Sequence, residues 1–179
     1  GPAWTRLGIH GMDTSDPDAP KVVHAFMPRG AEGSTIQETW DVLGMRATQS
    51  NDTVLDGVFI PDDRVVRVVS PGVAGIDLFI LGIFAWADLG FANIYYAIAK
   101  RAFDMAVASV KGRSSLGLSR SLAYHAEIQH VVAEMVIELE SIGPHIEKIA
   151  QDWSEGVDYG AEWGSKIVVA KYRAVEGSW

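Results

Sequence analysis

The sequence contains no cysteine, which removes disulfides, thiol nucleophiles and thiolate metal ligands from every reading of its function. It also lacks a basic tract. Fifteen Lys and Arg face 23 Asp and Glu, a formal net charge of −8 over 179 residues. Polyphosphates are drawn by clustered cations, so the balance argues against non-specific binding to nucleic acid and no nucleic-acid partner is expected, leaving room for a small local basic site. No basic segment followed by an apolar run and a small-residue cleavage site opens the chain, so no signal peptide is expected and the expected location is cytoplasmic. Gly1-Pro2 reads either as a cloning remnant or as a natural loop. Internal repeats and low-complexity tracts are missing as well.

What is present suits a packed core: 48% of residues are hydrophobic and 21% charged. One apolar run is long. From Val68 to Ala99 the only charged residues are Asp77 and Asp88, and such a length spans a bilayer. An Asp near the middle is costly in lipid, and no Lys/Arg cluster flanks the run. The expectation is therefore a helix buried in a bundle or against another subunit, with no membrane span.

The hydrophobic period changes along the chain. Thr5–Met12, Lys21–Arg29, Thr35–Met45 and Asn51–Pro61 read as four strands separated by polar turns, with Ile36, Trp40 and Val42 as inward residues of the third. After Ser70-Pro71-Gly72 the spacing becomes helical. Ala92–Gly112 forms one helix, interrupted by Arg113-Ser114-Ser115-Leu116-Gly117. A second begins near Ser121, with Ile128, Val132, Met135, Leu139 and Ile142 on one face. Gly143-Pro144 is expected to stop or kink it, with a shorter continuation to Trp153. A last helix follows "SEGVDYG". The fold class is thus α+β: a small antiparallel β module followed by an antiparallel helical bundle.

Several residues are candidates for chemistry. Arg113 sits where a helix ends, before two Ser and a Gly, and a guanidinium with neighbouring hydroxyls suits a pyrophosphate. The other reading is an Arg that caps helix carbonyls. Asp88 stands in an apolar run, where burial would raise its pKa toward that of a general base; it also reads as a helix cap before "LGFANIYY". His125 reads as a polar residue in the first turn of an amphipathic helix. His10, His24, His130 and His145 show neither i,i+4 nor convergent acidic partners, so no metal site is expected. Thr48, Ser50 and Asn51 suit turn hydrogen bonds, with Arg46 paired to Asp41 or Asp52.

In chain order, "LGMRATQS" after Trp40, a strand ending "FIPDDRV", "AIAKRAFDMAVASVKGRSSLG" (Ala97–Gly117) and "HAEIQHVVAEM" (His125–Met135) resemble the acyl-CoA dehydrogenase family of flavoproteins. The resemblance covers nearly the whole chain. It implies that residues 1–68 are the C-terminal part of the family's middle β-domain and that 69–179 are the first helices of its C-terminal helical domain, with "FIPDDRV" directing the chain between them. It implies FAD as cofactor, an acyl-CoA substrate, an electron-transfer partner protein, and a homodimer or homotetramer whose flavin site spans two subunits. The implied reaction is α,β-desaturation, in which a carboxylate takes a proton α to the thioester carbonyl while a hydride leaves the β carbon. By the same resemblance, Arg113 matches an Arg that contacts the FAD pyrophosphate of the neighbouring subunit. Ser115 matches an accompanying hydroxyl, and Leu116 replaces the usual aromatic. His125 matches the His of a flavin-holding His-Gln pair whose Gln position is Ala126. Where the family takes its base from the early helix, the matching position is about Ala87 and the adjacent Arg position holds Asp88. The usual catalytic Glu, the N-terminal helical domain and the earlier part of the β-domain have no match, so the chain reads as a fragment. Two alternatives stay open: a flavin-dependent monooxygenase of the same fold, and an incomplete, non-catalytic oligomerisation module.

Overall fold

The computed structural model describes residues 3–72, 77–117 and 119–179. The two readings of Gly1-Pro2 lie outside these residues. The chain divides into two compact units, Gly1–Val73 and Ala74–Trp179, and its class is α+β as expected.

In the first unit β1 (Arg6–Asp13) and β2 (Lys21–Pro28) form an antiparallel pair that sets Leu7 opposite Met27 and Ile9 opposite Ala25. These four apolar residues share one face by the period-two rule, and Met27 and Ala25 are buried there. β3 (Ser34–Gln37) and β4 (Asp52–Leu55) form a separate two-stranded sheet. Both are shorter than the expected Thr35–Met45 and Asn51–Pro61. β3 stops at Gln37, where the Thr39 N–H donates to the Gln37 carbonyl and the Asp41 N–H to that of Thr39, and a single helical turn at Arg46–Thr48 follows, flanked by Met45 and Gln49 in left-handed backbone (φ 52° and 43°). Ile36, expected inward, is 39% exposed because this small sheet has little to cover it. "FIPDDRV" does more than lead onward. Asp62–Arg64 makes one helical turn, and β5 (Val65–Val69) then returns antiparallel to β2, setting Val69 opposite Val22. The first sheet therefore has the order β1-β2-β5. Gly33 permits a close approach: at φ +84°, a Cβ there would lie 2.2 Å from the Asp56 carbonyl oxygen.

Among the described residues the second unit holds three α-helices. α1 runs from Leu78 to Gly112, beginning well before the expected Ala92. Its cap is Asp77, not Asp88: one Asp77 carboxylate oxygen accepts the N–H groups of Phe79 (3.1 Å) and Ile80 (3.2 Å). Truncation at a cap of this type costs about 1 kcal/mol, so Asp77→Ala should lower the thermal unfolding temperature measurably while leaving far-UV circular dichroism unchanged below the transition. By length and composition alone α1 suffices to cross a membrane, yet Leu81, Ala85 and Ala92 are buried within the bundle.

α2 (Ala126–Glu155) continues through Pro144, where a stop or kink was expected. Gly143 beside it accommodates Tyr96, whose hydroxyl would lie 2.6 Å from an added Cβ. The expected apolar face holds: Leu139 and Ile142 are buried, whereas Ile128, Val132 and Met135 are half-buried. Gly156, in left-handed backbone, closes the helix by donating to the Asp152 and Trp153 carbonyls. α3 (Trp163–Glu176) turns Trp163, Ile167, Ala170 and Ala174 inward at i, i+4, i+7 and i+11. Two core clusters result: Leu81, Ala85, Ile149, Trp163, Ile167 and Ala170, then Ala92, Ile142, Ile146 and Ala174.

Candidate functional site

The connection from α1 to α2 is a closed loop. Arg113 leaves helical backbone (φ −105°, ψ 145°), and its carbonyl accepts the Leu122 N–H at 2.8 Å. Ser114 and Ser121 pair across a single antiparallel bridge. A helical turn at Leu122–Tyr124 packs against both helices, and the His125 N–H donates to the Leu122 carbonyl at 2.9 Å. Local hydrogen bonds therefore fix the backbone and leave the side chains outward. Arg113, Ser114, Ser115 and Leu116 are all exposed.

This loop brings together five of the sequence candidates: Arg113, Ser115, Leu116, His125 and Ala126. Among the described residues the Arg113 guanidinium has no hydrogen-bond or ion-pair partner, so the helix-capping alternative is carried by its backbone alone. The His125 ring is half-buried, and its Nδ1 is fully buried without a partner among the described residues. A buried ring nitrogen with no partner is costly unless something polar reaches it. Ala126, the first residue of α2, is exposed and brings no polar atom. A forked cation, neighbouring hydroxyls and an unsatisfied ring nitrogen fit a ligand carrying phosphate oxygens and further polar atoms.

Asp88 is elsewhere. Twenty-five positions separate it from Arg113 along α1, which is about 37 Å at 1.5 Å per residue. It is half-buried rather than enclosed, so the burial that would favour a base is only partial. One turn away lies an apolar groove of about 250 Å³ lined by Ala85, Trp86, Leu89, Ala150 and Trp153, to which Asp88 does not contribute.

The loop around Arg46 is scaffold. The Arg46 Nε donates to the Val42 carbonyl at 3.0 Å, not to Asp41 or Asp52. Thr48 donates to the Met45 carbonyl (2.8 Å), and the Asn51 side chain accepts the Trp40 N–H (2.9 Å), as turn-forming residues do.

Histidine pairings differ from the sequence reading. His10 faces His24 across β1 and β2 with Nδ1 atoms 2.6 Å apart, a juxtaposition set by strand register. His130 meets Glu134 one turn on, at 3.3 Å on an exposed face. No group of three or more potential metal ligands occurs among the described residues.

A buried carboxylate was missed altogether. Asp152 is 1% exposed, and Lys148 (2.6 Å) and the Tyr159 hydroxyl (2.8 Å) donate to its two oxygens. The Lys148 hydrogen bond, then that of Tyr159, holds the Asp152 carboxyl below its usual range. The same bonds push Lys148 and Tyr159 up. Only the i,i+4 spacing of Lys148 and Asp152 signals this in sequence. Its place beside Trp153 and Trp163 makes it a lock on the bundle rather than a reactive centre.

No family model matches the chain. YdbM of Bacillus subtilis (strain 168), provisionally named an acyl-CoA dehydrogenase, is 31% identical over 126 residues, covering 70% of this chain and 31% of that protein. The structure of butyryl-CoA dehydrogenase from Megasphaera elsdenii superposes with a TM-score of 0.83 at 21% identity, over 99% of this chain and 44% of that one. Dibenzothiophene monooxygenase from Paenibacillus sp. A11-2 gives 0.80 at 20% identity, over 98% and 48%. Two further structures of like fold hold flavins, KijD3 with FMN and PigA with FAD. The chain spans less than half the length of each of these proteins.

Proposed function

The chain is related in sequence and fold to the acyl-CoA dehydrogenases, and from that premise we propose that its protein is an FAD-dependent oxidoreductase that desaturates an acyl-CoA thioester between Cα and Cβ. The observation that carries the proposal is the α1–α2 connection, where Arg113 and Ser115 stand exposed near a buried, unsatisfied His125 Nδ1. These residues fit FAD. Arg113 and Ser115 would hold pyrophosphate oxygens, and His125 would meet a polar atom of the cofactor. Leu116 and Ala126 offer only aliphatic contact. When bound, FAD supplies the two-electron acceptor.

The chain's own carboxylate for the α proton is assigned to Asp88, in the early helix. Its separation from Arg113 means that, in this proposal, the two residues of one chain serve different flavins, as a cofactor site shared between two copies requires. Reoxidation falls to an electron-transfer partner protein. The test is anaerobic addition of an acyl-CoA to the flavin-loaded full-length protein. Loss of flavin absorbance is expected, and Asp88→Asn should slow it at least about 100-fold at unchanged flavin content. An unchanged rate in that variant removes Asp88 as the base.

The close superposition on a monooxygenase favours a second reading, in which the flavin is first reduced by another donor and then meets oxygen. Under that reading acyl-CoA leaves the flavin spectrum unaltered.

A further inference from the structure

His10 and His24 stand directly opposite each other in the β1–β2 register. Their Nδ1 atoms are 2.6 Å apart, and the rings meet edge to face with centroids 4.6 Å apart. His24 is buried, whereas His10 is exposed. A single Nδ1–H···Nδ1 hydrogen bond accounts for the distance. Moving that proton to the Nε2 of its own ring turns both Nδ1 lone pairs toward one point, as metal ligation requires. Two imidazole nitrogens each about 2.0 Å from a metal lie about 2.8 Å apart at a right angle and about 3.3 Å apart at a tetrahedral one. The observed spacing is nearer the first, the arrangement that square-planar or tetragonal copper and nickel adopt.

A third donor shares this face. Met12 lies two residues from His10, which puts it on the same side of β1. Its register partner is Val22, so His24 is a diagonal neighbour within reach of a long side chain. Met12 is 62% exposed and free to turn. A thioether is a soft ligand that favours copper over nickel or zinc. No three of His, Cys, Asp and Glu gather among the described residues; the third donor here is a methionine. Arg67 stands opposite His24 on β5, the strand on the far side of β2 from β1, so a bound cation belongs on the His10 side.

We infer that His10, His24 and Met12 form a copper-binding site. The two imidazole Nδ1 atoms are its strong ligands, the Met12 sulfur a weaker one, and water completes the shell. Bound copper clips β1, an edge strand of its sheet, to β2. The site lies within the first unit and is independent of the flavin reading.

The test is titration of the 179-residue chain with Cu2+, read by calorimetry and by electron paramagnetic resonance. One ion should bind with two nitrogen ligands, and Zn2+ should bind at least about tenfold more weakly. His10→Gln should weaken copper at least about tenfold, since even an outer-shell partner costs that much. Met12→Leu should weaken it several-fold and keep both nitrogens in the spectrum. His10 is exposed and a glutamine can still hydrogen-bond His24, so equal metal-free melting temperatures verify folding. Copper should raise the melting temperature of the wild type and leave that of His10→Gln unchanged. His130→Gln, which removes the exposed pair with Glu134, should bind copper as the wild type does. Copper affinity retained in His10→Gln, or lost in His130→Gln instead, overturns the inference. Equal affinity for Zn2+ and Cu2+ overturns copper as the occupant, and wild-type affinity in Met12→Leu overturns the thioether ligand.

Discussion

Trp163→Ala is expected to destabilise the helical unit by about 3–5 kcal/mol, the range for emptying a buried aromatic site. Three losses coincide there. Trp163 is 7% exposed and packs with Leu81, Ala85, Ile149, Ile167 and Ala170, so truncation opens a cavity between all three helices. Its ring makes edge-to-face contacts with Trp153 and Tyr159, each with centroids 5.0 Å apart, an arrangement that adds to area burial. Its Nε1 donates to the Val157 carbonyl at 3.1 Å, which ties the α2–α3 loop to the core. Trp163→Phe keeps much of the volume and loses the donor, so its penalty should be about 1–2 kcal/mol. Urea unfolding followed by circular dichroism measures both. A loss below 1 kcal/mol for the alanine variant would mean that the loop and the three-helix core are not coupled through this residue.

Asp152 is the second site of large effect, and its signature is pH dependence. With Asp152→Ala, the Tyr159 hydroxyl loses its acceptor and Lys148 its counter-charge, and the melting temperature should fall by about 10 °C near neutral pH. The Asp152 carboxyl titrates below its unfolded value of about 3.9, chiefly through the Lys148 hydrogen bond and then that of Tyr159. Its contribution is therefore fully present above about pH 4 and disappears as pH falls through the lower folded value. Lys148 and Tyr159 titrate above their unfolded values. Their contributions are complete below about pH 10 and are lost as pH rises through the folded values. The melting-temperature gap between wild type and Asp152→Asn should thus be widest from about pH 5 to 9 and should close toward both extremes. A gap independent of pH would assign Asp152 a role in shape alone.

These two sites also show where sequence stops informing. Lys148 and Asp152 are one turn apart and could be paired on spacing, but Tyr159 joins them only because Gly156 reverses the chain. Local periodicity carried β1, β2, the α2 face and the inward stripe of α3. β5 escaped because "VVRVV" lacks a clear alternation, and its pairing with β2 depends on a return that "FIPDD" permits without specifying. The start of α1 escaped for a related reason: a run apolar on nearly every side has no period to mark its beginning, and only the Asp77 cap does so. Pro144 misled because a proline rule of local origin is overridden once flanking turns are packed. The members of the proposed cofactor corner lie within one short stretch, from Arg113 to Ala126, so grouping them in sequence needs only the end of α1 and the start of α2. The separation of Asp88 from that corner becomes visible once α1 is known to be unbroken.

The account rests on flavin held at the α1–α2 connection, and the affinity of FAD for wild-type protein and for Arg113→Gln measures it most directly. A guanidinium–phosphate contact predicts weakening by about 10–100-fold in the variant, at unchanged melting temperature, since the Arg113 side chain is exposed. Equal FAD affinity in the two proteins would contradict it.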